Sequence, residues 1–325
     1  MLKLFERNTG MQSVIILAVV VLLWIPSIVH PIPLSPADGF APLYALISPL
    51  SPILAAIIAM LLVIAAGFLL NIILVNTGLL PQNSMLPTLI YILYMSAGHP
   101  TLTPTLITGV LTIGVTFMLI LPKGQITLPA DRICGAGVII GISSMFYAPS
   151  LALLITYMLT AVNYRLYRWK DMVLILLGLL APYLLYWTIM FLSGTLAESF
   201  ETLWNSIKSI TWHTGDYSSL AGVANILLAV IFLAALLILW GRLGEKTVNW
   251  QKNATTVMLV TMAGLIMAPF ATIFPINLQF FAIPATLCLF HLLIPDRYSY
   301  HTPSKWVLWL LDALFVIIIL AALLC

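Results

Sequence analysis

Charge is scarce in this sequence. Only 7% of its 325 residues are Asp, Glu, Lys or Arg, whereas 62% are hydrophobic, and the mean hydropathy is +1.12. Soluble domains carry about 25% charged residues, and a chain this apolar would aggregate in water. The shortage of charge excludes a soluble globular domain and indicates an integral membrane protein. We therefore expect membrane lipids, and no nucleic acid, among its partners.

Cysteine and known catalytic motifs are equally sparse. Cys134, Cys288 and Cys325 lie in or at the end of apolar segments. An odd number without a short spacing argues against a disulfide framework or a metal site, so we interpret them as small buried hydrophobic residues. The chain contains no Gly-rich phosphate loop, no Gly-x-Ser-x-Gly turn and no His-Glu-x-x-His zinc motif. The sequence thus predicts no metal ligands and leaves any cofactor unknown.

Apolar runs of membrane-spanning length are abundant instead. A spanning helix needs roughly 20 apolar residues, because the hydrocarbon core is about 30 Å thick. Counting such runs predicts an all-α polytopic bundle of about 11 spans, with a range of about 10–12. The bundle is predicted to form a single transmembrane domain over residues 1–325. The predicted segments are Ser13–Val29, Pro52–Val75, Met85–Ala97, Thr105–Leu121, Ile133–Ala148, Ser150–Tyr164, Met172–Ser193, Leu220–Trp240, Thr255–Phe270, Ile276–Ile294 and Trp306–Leu324.

The basic residues predict an orientation. With the N-terminus in the cytoplasm and the C-terminus outside, only Lys208 of the 13 Lys and Arg residues falls in an outer loop. An excess of Lys and Arg in cytoplasmic loops is typical of membrane proteins, so the bias supports the span count together with the orientation. The residues on the predicted inner side are Lys3, Arg7, Lys123, Arg132, Arg165, Arg168, Lys170, Arg242, Lys246, Lys252, Arg297 and Lys305.

The same bias decides how residues 133–164 are interpreted. They form either two short helices on the two sides of Pro149 or one long kinked helix. A single helix would carry the basic cluster Arg165–Lys170 to the outer side. We therefore predict a hairpin of two short helices. The sequon Asn253-Ala-Thr255 lies on the predicted inner side, so we do not interpret it as a glycosylation site.

The first outer loop, residues 30–51, holds Asp38, the only acidic residue between Glu6 and Asp131. Its five prolines exclude a long regular helix, because proline lacks an N–H and clashes with the preceding turn. The loop is also too apolar to lie free in water. We predict a segment that packs against the membrane surface, or dips into it, with Asp38 at its centre.

The largest outer loop, residues 194–219, contains a predicted amphipathic helix. One stripe of it is apolar, with Leu196, Phe200, Leu203, Trp204, Ile207 and Ile210 at spacings of three and four. Such a helix lies flat in the membrane interface. It acts either as a strut or as the wall of a lipid-facing cavity, to which Glu198, Glu201, Lys208 or His213 lends a polar group. His99 lies in another outer loop on the same side.

Residues 133–194 carry the most specific pattern of the chain. It reads Gly137-x-Ile-Ile-Gly-Ile-Ser-Ser-Met-Phe-Tyr-Ala-Pro149, then Tyr164-Arg-Leu-Tyr-Arg-Trp169 and Leu177-Gly-Leu-Leu-Ala-Pro-Tyr183. Its small-xxx-small spacing lets helix backbones approach closely. The pattern resembles a family of multi-pass proteins of the bacterial inner membrane, some of which carry the label beta-carotene monooxygenase. Five scattered histidines make no iron site here, so we expect the localisation but not that chemistry.

More distantly, the layout is similar to the GT-C superfamily of glycosyltransferases, which use polyprenyl-phosphate-linked sugars. In that superfamily the first outer loop carries an essential acid, a Gly-rich pair of short helices follows, and interfacial helices of an outer loop complete the site. The resemblance implies that Asp38 acts as a catalytic base or holds a metal ion. The substrate-binding residues that it implies are His99, Glu198, Glu201, Lys208 and His213.

Three functions are open at this point. The leading hypothesis is a glycosyltransferase-like protein that acts on polyprenyl-phosphate-linked sugars at the outer face of the inner membrane during envelope assembly. The second is a non-catalytic subunit or scaffold of an envelope complex, with a protein partner in the membrane. The third is a transporter or flippase for a lipid or a small solute. The chain shows no clear internal repeat, a feature that many transporters have.

Overall fold

A computed structural model describes residues 10–31, 34, 41–80, 84–96, 101–121, 125, 127–164, 168–208, 220–268 and 276–293, together with 309, 312, 313, 316, 317, 319 and 320. All regular secondary structure in these residues is helical. The α-helices are α1 (Gly10–Val29), α2 (Pro42–Ala45), α3 (Pro52–Asn76), α4 (Leu86–Met95), α5 (Pro104–Leu119), α6 (Ala130–Phe146), α7 (Leu153–Asn163), α8 (Trp169–Leu192), α9 (Leu196–Lys208), α10 (Leu220–Arg242), α11 (Val248–Met267) and α12 (Ala282–Leu293). Short 3₁₀ turns cover Ala148–Ala152, Leu243–Glu245 and Ile276–Phe281.

Four of the described helices are long and apolar enough to cross a membrane. They cover Met11–Val29, Pro52–Asn76, Trp169–Leu192 and Ile226–Glu245. The prediction of an all-helical chain with several helices of this kind is confirmed, whereas the count of about 11 spans stays a prediction.

Several apolar helices are shorter than a bilayer is thick, and α4 is the clearest case. Its ten residues are all buried, and Pro87 lies in its first turn, where a missing N–H leaves no hydrogen bond unmade. Helix α12 is enclosed almost as completely. Neighbouring helices rather than lipid cover such a segment, so it does not need the length of a lipid-facing span.

Hydrogen bonds between helices show which helix ends lie together, and they define two ends of the bundle. At one end, Trp250 Nε1 donates to the Leu79 carbonyl oxygen over 3.1 Å, and His291 Nε2 lies 3.2 Å from the same oxygen. At the other end, Gln279 Nε2 donates to the Met95 carbonyl oxygen over 3.1 Å. We call these the Leu79 end and the Met95 end. The long helices run alternately between them.

The basic residues are distributed unevenly between these two ends. Helix α9 at the Met95 end contributes Lys208 as its only basic residue. The basic residues of the described helices and turns at the Leu79 end are Arg132, Arg168, Lys170, Arg242, Lys246 and Lys252. This separation agrees with the distribution that the loops of the sequence predict.

Helices α6 and α8 form the tightest pair in the bundle. A Cβ atom on Gly178 would overlap the Cys134 carbonyl oxygen, and one on Gly137 would overlap the Ile175 carbonyl oxygen. A Cβ on Gly141 would lie 2.6 Å from the Leu179 carbonyl oxygen. Backbone therefore touches backbone, as the small-xxx-small spacing predicts.

The two helices of this pair run parallel, since residue numbers rise together along their contact. The chain between them must return across the bundle, and it does so through α7, which follows the 3₁₀ turn Ala148–Ala152. Helix α7 packs against α11, where Asn163 Nδ2 donates to the Lys252 carbonyl oxygen over 2.9 Å. Residues 133–164 thus form two short helices, as predicted.

Candidate functional site

The predicted site residues are described in part. Asp38, His99 and His213 lie outside the described residues. Lys208 ends helix α9. Glu198 and Glu201 belong to the same helix, and both are exposed. Helix α9 lies at the Met95 end, so the structure brings together the predicted polar residues 198, 201 and 208 on one helix at this end of the bundle.

A line of aromatic side chains holds α9 to the bundle. Ser144 Oγ on α6 lies 2.8 Å from Tyr183 OH on α8. The Tyr183 and Trp187 ring centroids are 5.7 Å apart, and those of Trp187 and Phe200 are 4.9 Å apart. Aromatic pairs at such separations contribute about 0.5–1.5 kcal/mol beyond the area they bury. This contact fixes the amphipathic helix against the tight α6/α8 pair.

The apolar stripe of α9 is covered only in part. Phe200 remains 46% exposed and Trp204 58% exposed, although Phe200 stacks on Trp187. An amphipathic helix with uncovered aromatic residues and exposed carboxylates such as Glu198 and Glu201 is suited to the membrane interface. The predicted amphipathic helix is therefore present, over Leu196–Lys208.

The described part of the first outer loop packs into the same end. Helix α2 contacts α6, and Tyr44 on α2 is fully buried. Its hydroxyl has no hydrogen-bond partner among the described residues, and burial raises the pKa of Tyr44. Residues 41–50 of the loop thus pack on the helix bundle, whereas packing of the loop against the membrane surface stays a prediction.

Buried polar atoms without partners gather at this end. Seven of the ten such atoms in the described residues belong to it. Leaving a polar atom buried and unpaired costs about 1–3 kcal/mol, so packing alone disfavours such an interior. The seven atoms are Ser27 Oγ, Tyr44 OH, Thr108 Oγ1, Ser143 Oγ, Ser150 Oγ, Trp187 Nε1 and Gln279 Oε1. The sequence did not predict these residues, although Ser143 and Ser150 flank the predicted hairpin turn.

The Met95 end therefore combines three features around one helix pair. The first outer loop reaches α6 through α2, the amphipathic helix reaches α8 through Phe200, and buried polar groups lie at the same end of the bundle. The part of the chain that the structure describes contains no group of three or more His, Cys, Asp or Glu side chains able to hold a metal ion. The described residues at this end include the exposed carboxylates of Glu198 and Glu201 and the buried hydroxyl groups given above.

Comparison with protein-family models, with curated proteins and with solved structures finds no match to this chain. Function is therefore inferred from the geometry of the described residues.

A second polar cluster, at the Leu79 end, is structural. Asn253 Oδ1 accepts hydrogen bonds from Leu121 N over 3.0 Å and from Tyr164 OH over 3.1 Å. Asn253 Nδ2 donates to the Leu121 carbonyl oxygen over 3.1 Å, and Thr256 Oγ1 donates to Tyr164 OH over 2.8 Å. The asparagine of the sequon is thus buried, and it joins the ends of α5 and α7 to α11.

Proposed function

We propose that this chain is a multi-pass protein of the bacterial inner membrane, with about 11 spans, a cytoplasmic Leu79 end and an outward-facing Met95 end. The separation of basic residues between the two ends supports this orientation, because Lys and Arg accumulate on the cytoplasmic side of membrane proteins. The alternating directions of the described helices support the span count, since each predicted crossing reverses the chain.

The orientation is testable by labelling with a membrane-impermeant maleimide. Glu201→Cys at the Met95 end and Glu245→Cys at the Leu79 end both replace exposed residues. In a background where Cys134, Cys288 and Cys325 are replaced by serine or alanine, we expect intact cells to label only the first variant. Permeabilised cells should label both. Labelling of the Glu245→Cys variant in intact cells would show that the Leu79 end faces outward and that the proposed orientation is wrong.

The activity that we propose is transfer of a sugar from a polyprenyl-phosphate carrier to an acceptor hydroxyl at the Met95 end. The contacts of α2 with α6 and of α9 with α8 support this proposal, because the first outer loop and α9 then both attach to the α6/α8 pair. The Asp38 carboxylate would take the proton of the acceptor hydroxyl. The acceptor oxygen would bond to the anomeric carbon as the bond from that carbon to the phosphate oxygen breaks.

The other candidate residues suit either the phosphate or the sugar of the lipid-linked donor. Lys208, the one basic residue predicted on the outer side, suits the carrier phosphate, since ammonium groups form charge-assisted hydrogen bonds with phosphate. Glu198, Glu201, His99 and His213 suit sugar hydroxyls. The apolar stripe of α9 would face the polyprenyl chain.

The decisive substitution is Asp38→Asn. General-base catalysis contributes typically about 10²–10⁴-fold, so we expect sugar transfer from the lipid-linked donor, measured in isolated membranes, to fall by at least about 100-fold. The expression level and the thermal midpoint should stay unchanged, because the amide has the shape of the carboxyl. Glu245→Gln, at the other end, serves as the control. Full transfer activity in the Asp38→Asn variant would defeat the enzyme proposal.

One observation favours the scaffold as a second candidate. Only 11% of the apolar window of Trp169–Leu192 is buried, against 39% for Pro52–Asn76. Leu185 and Leu192 on this helix are 69% and 80% exposed. A helix held along one side by α6 leaves its other faces available to a membrane partner as well as to lipid. A partner that co-purifies at equal stoichiometry with the wild type and with Asp38→Asn would favour this function.

A further inference from the structure

A small cleft opens between α10 and α12 at the Leu79 end. One part of its wall is apolar and the other part is basic. Apolar side chains form the part nearer the middle of the bundle, and basic side chains with a histidine form the part at the helix ends. The lining residues are Ala235, Ile238, Leu239, Arg242, Lys246, Cys288, His291 and Leu292.

The basic part of the cleft is held in place by the bundle. Lys246 Nζ lies 5.7 Å from the centroid of the Trp250 ring, and Trp250 is fixed through its hydrogen bond to the Leu79 carbonyl oxygen. His291 is 8% exposed and contacts Trp250 edge to face at 5.2 Å between centroids. The cation and the imidazole are thus positioned by packed neighbours.

The cleft opens beside an exposed apolar surface of α10. Trp240 on α10, two residues before Arg242, is 57% exposed, and tryptophan rings favour the membrane–water interface. Leu233 and Leu237 on the same helix are 55% and 71% exposed, so α10 presents an apolar surface leading up to the cleft. Acyl chains can lie along that surface while a phosphate reaches Arg242 and Lys246.

We propose that the mouth of this cleft, where Arg242 is exposed, binds the phosphate of an anionic phospholipid from the leaflet at the Leu79 end. Arg242 and Lys246 supply charge-assisted hydrogen bonds to the phosphate oxygens, His291 forms the polar inner wall, and Ile238 and Leu292 contact the first part of an acyl chain. Basic pockets between membrane helices on the cytoplasmic side are suited to such headgroups. This proposal needs only the embedding of the bundle in a membrane and is independent of sugar transfer.

The test uses the full chain reconstituted in nanodiscs. Wild type is compared in phosphatidylcholine alone and in phosphatidylcholine mixed with phosphatidylglycerol, and bound lipid is counted by native mass spectrometry after release. The cleft variant is R242Q with K246Q. The matched control is R168Q with K170Q, which removes the same charge from exposed residues of the same end that do not line the cleft.

We expect the wild type and the control pair to retain phosphatidylglycerol. The cleft pair should bind it about tenfold more weakly, since each basic residue near the surface favours anionic lipid. Equal losses in both pairs, or no preference for phosphatidylglycerol over phosphatidylcholine, would overturn the proposal. So would displacement of the lipid by inorganic phosphate at matched concentration, because the site would then recognise a free anion.

Discussion

Gly178→Ala should separate helices α6 and α8 and lower the stability of the whole bundle. A Cβ atom at this position would overlap the carbonyl group of Cys134 and lie 3.1 Å from Val138 N. The obstructing atoms are backbone, so no side-chain rotation relieves the overlap. Overpacking of this kind costs typically about 1–3 kcal/mol and occasionally more, and the upper part of that range applies because a whole helix must move.

The matched control is Gly241→Ala. Gly241 lies near the end of α10, and a Cβ there would meet no atom within 4 Å. Alanine in an open helical position is expected to be neutral or to stabilise by about 0.5–1 kcal/mol. Thermal midpoints of the two purified variants in one detergent give the comparison. Equal midpoints for Gly178→Ala and the wild type would show that the α6/α8 contact is looser than described.

This substitution should also disturb the Met95 end. The first outer loop reaches the bundle through α2 on α6, and α9 reaches it through Trp187 on α8. The spacing of α6 and α8 therefore sets the position of one attachment relative to the other. If the proposed sugar transfer takes place there, Gly178→Ala lowers it even when the protein remains folded, whereas Gly241→Ala leaves it unchanged.

Local patterns in the sequence predicted much of this architecture. The spacing of Gly137 and Gly141 reports the side of α6 that must approach another backbone. The spacing of Phe200 and Trp204 reports the apolar side of α9. In each case the information lies within one helix, where the residues that share a face recur every three or four positions.

Contacts between distant segments were not predictable in the same way. Nothing near Gly178 in the sequence indicates that Cys134 is its neighbour, or that α6 and α8 run parallel. The seven buried polar atoms at the Met95 end are brought together only by the packing of several helices. The cleft at Arg242 lies between two helices that are about 50 residues apart in the chain. Helical periodicity carries no signal across such a separation.

Asn253 gives the second large effect, and no pattern in the sequence predicts that its side chain is buried and hydrogen-bonded. The side chain is 3% exposed and makes hydrogen bonds in both directions with the backbone of Leu121. Asn253→Asp keeps the shape but replaces the donor Nδ2 with an oxygen that faces the Leu121 carbonyl. We expect a loss of about 3 kcal/mol or more at neutral pH, since the new carboxyl group is buried and one hydrogen bond becomes a repulsive contact.

The pH dependence separates this explanation from a general loss of packing. When the new carboxyl group is protonated, its O–H can donate to the Leu121 carbonyl oxygen as the amide did. Leu121 N–H and Tyr164 O–H favour the ionised form, whereas burial and the facing carbonyl raise the pKa of the group in the folded state; where burial dominates, the folded protein binds the extra proton. The variant therefore regains stability as the pH falls from about 7 toward the ordinary carboxyl range. Asn249→Asp, on the exposed side of the same helix, should show neither the loss nor the recovery. A thermal midpoint of Asn253→Asp that stays equally low at every pH would point to a steric cause and would contradict the importance of the Asn253 hydrogen bonds to Leu121.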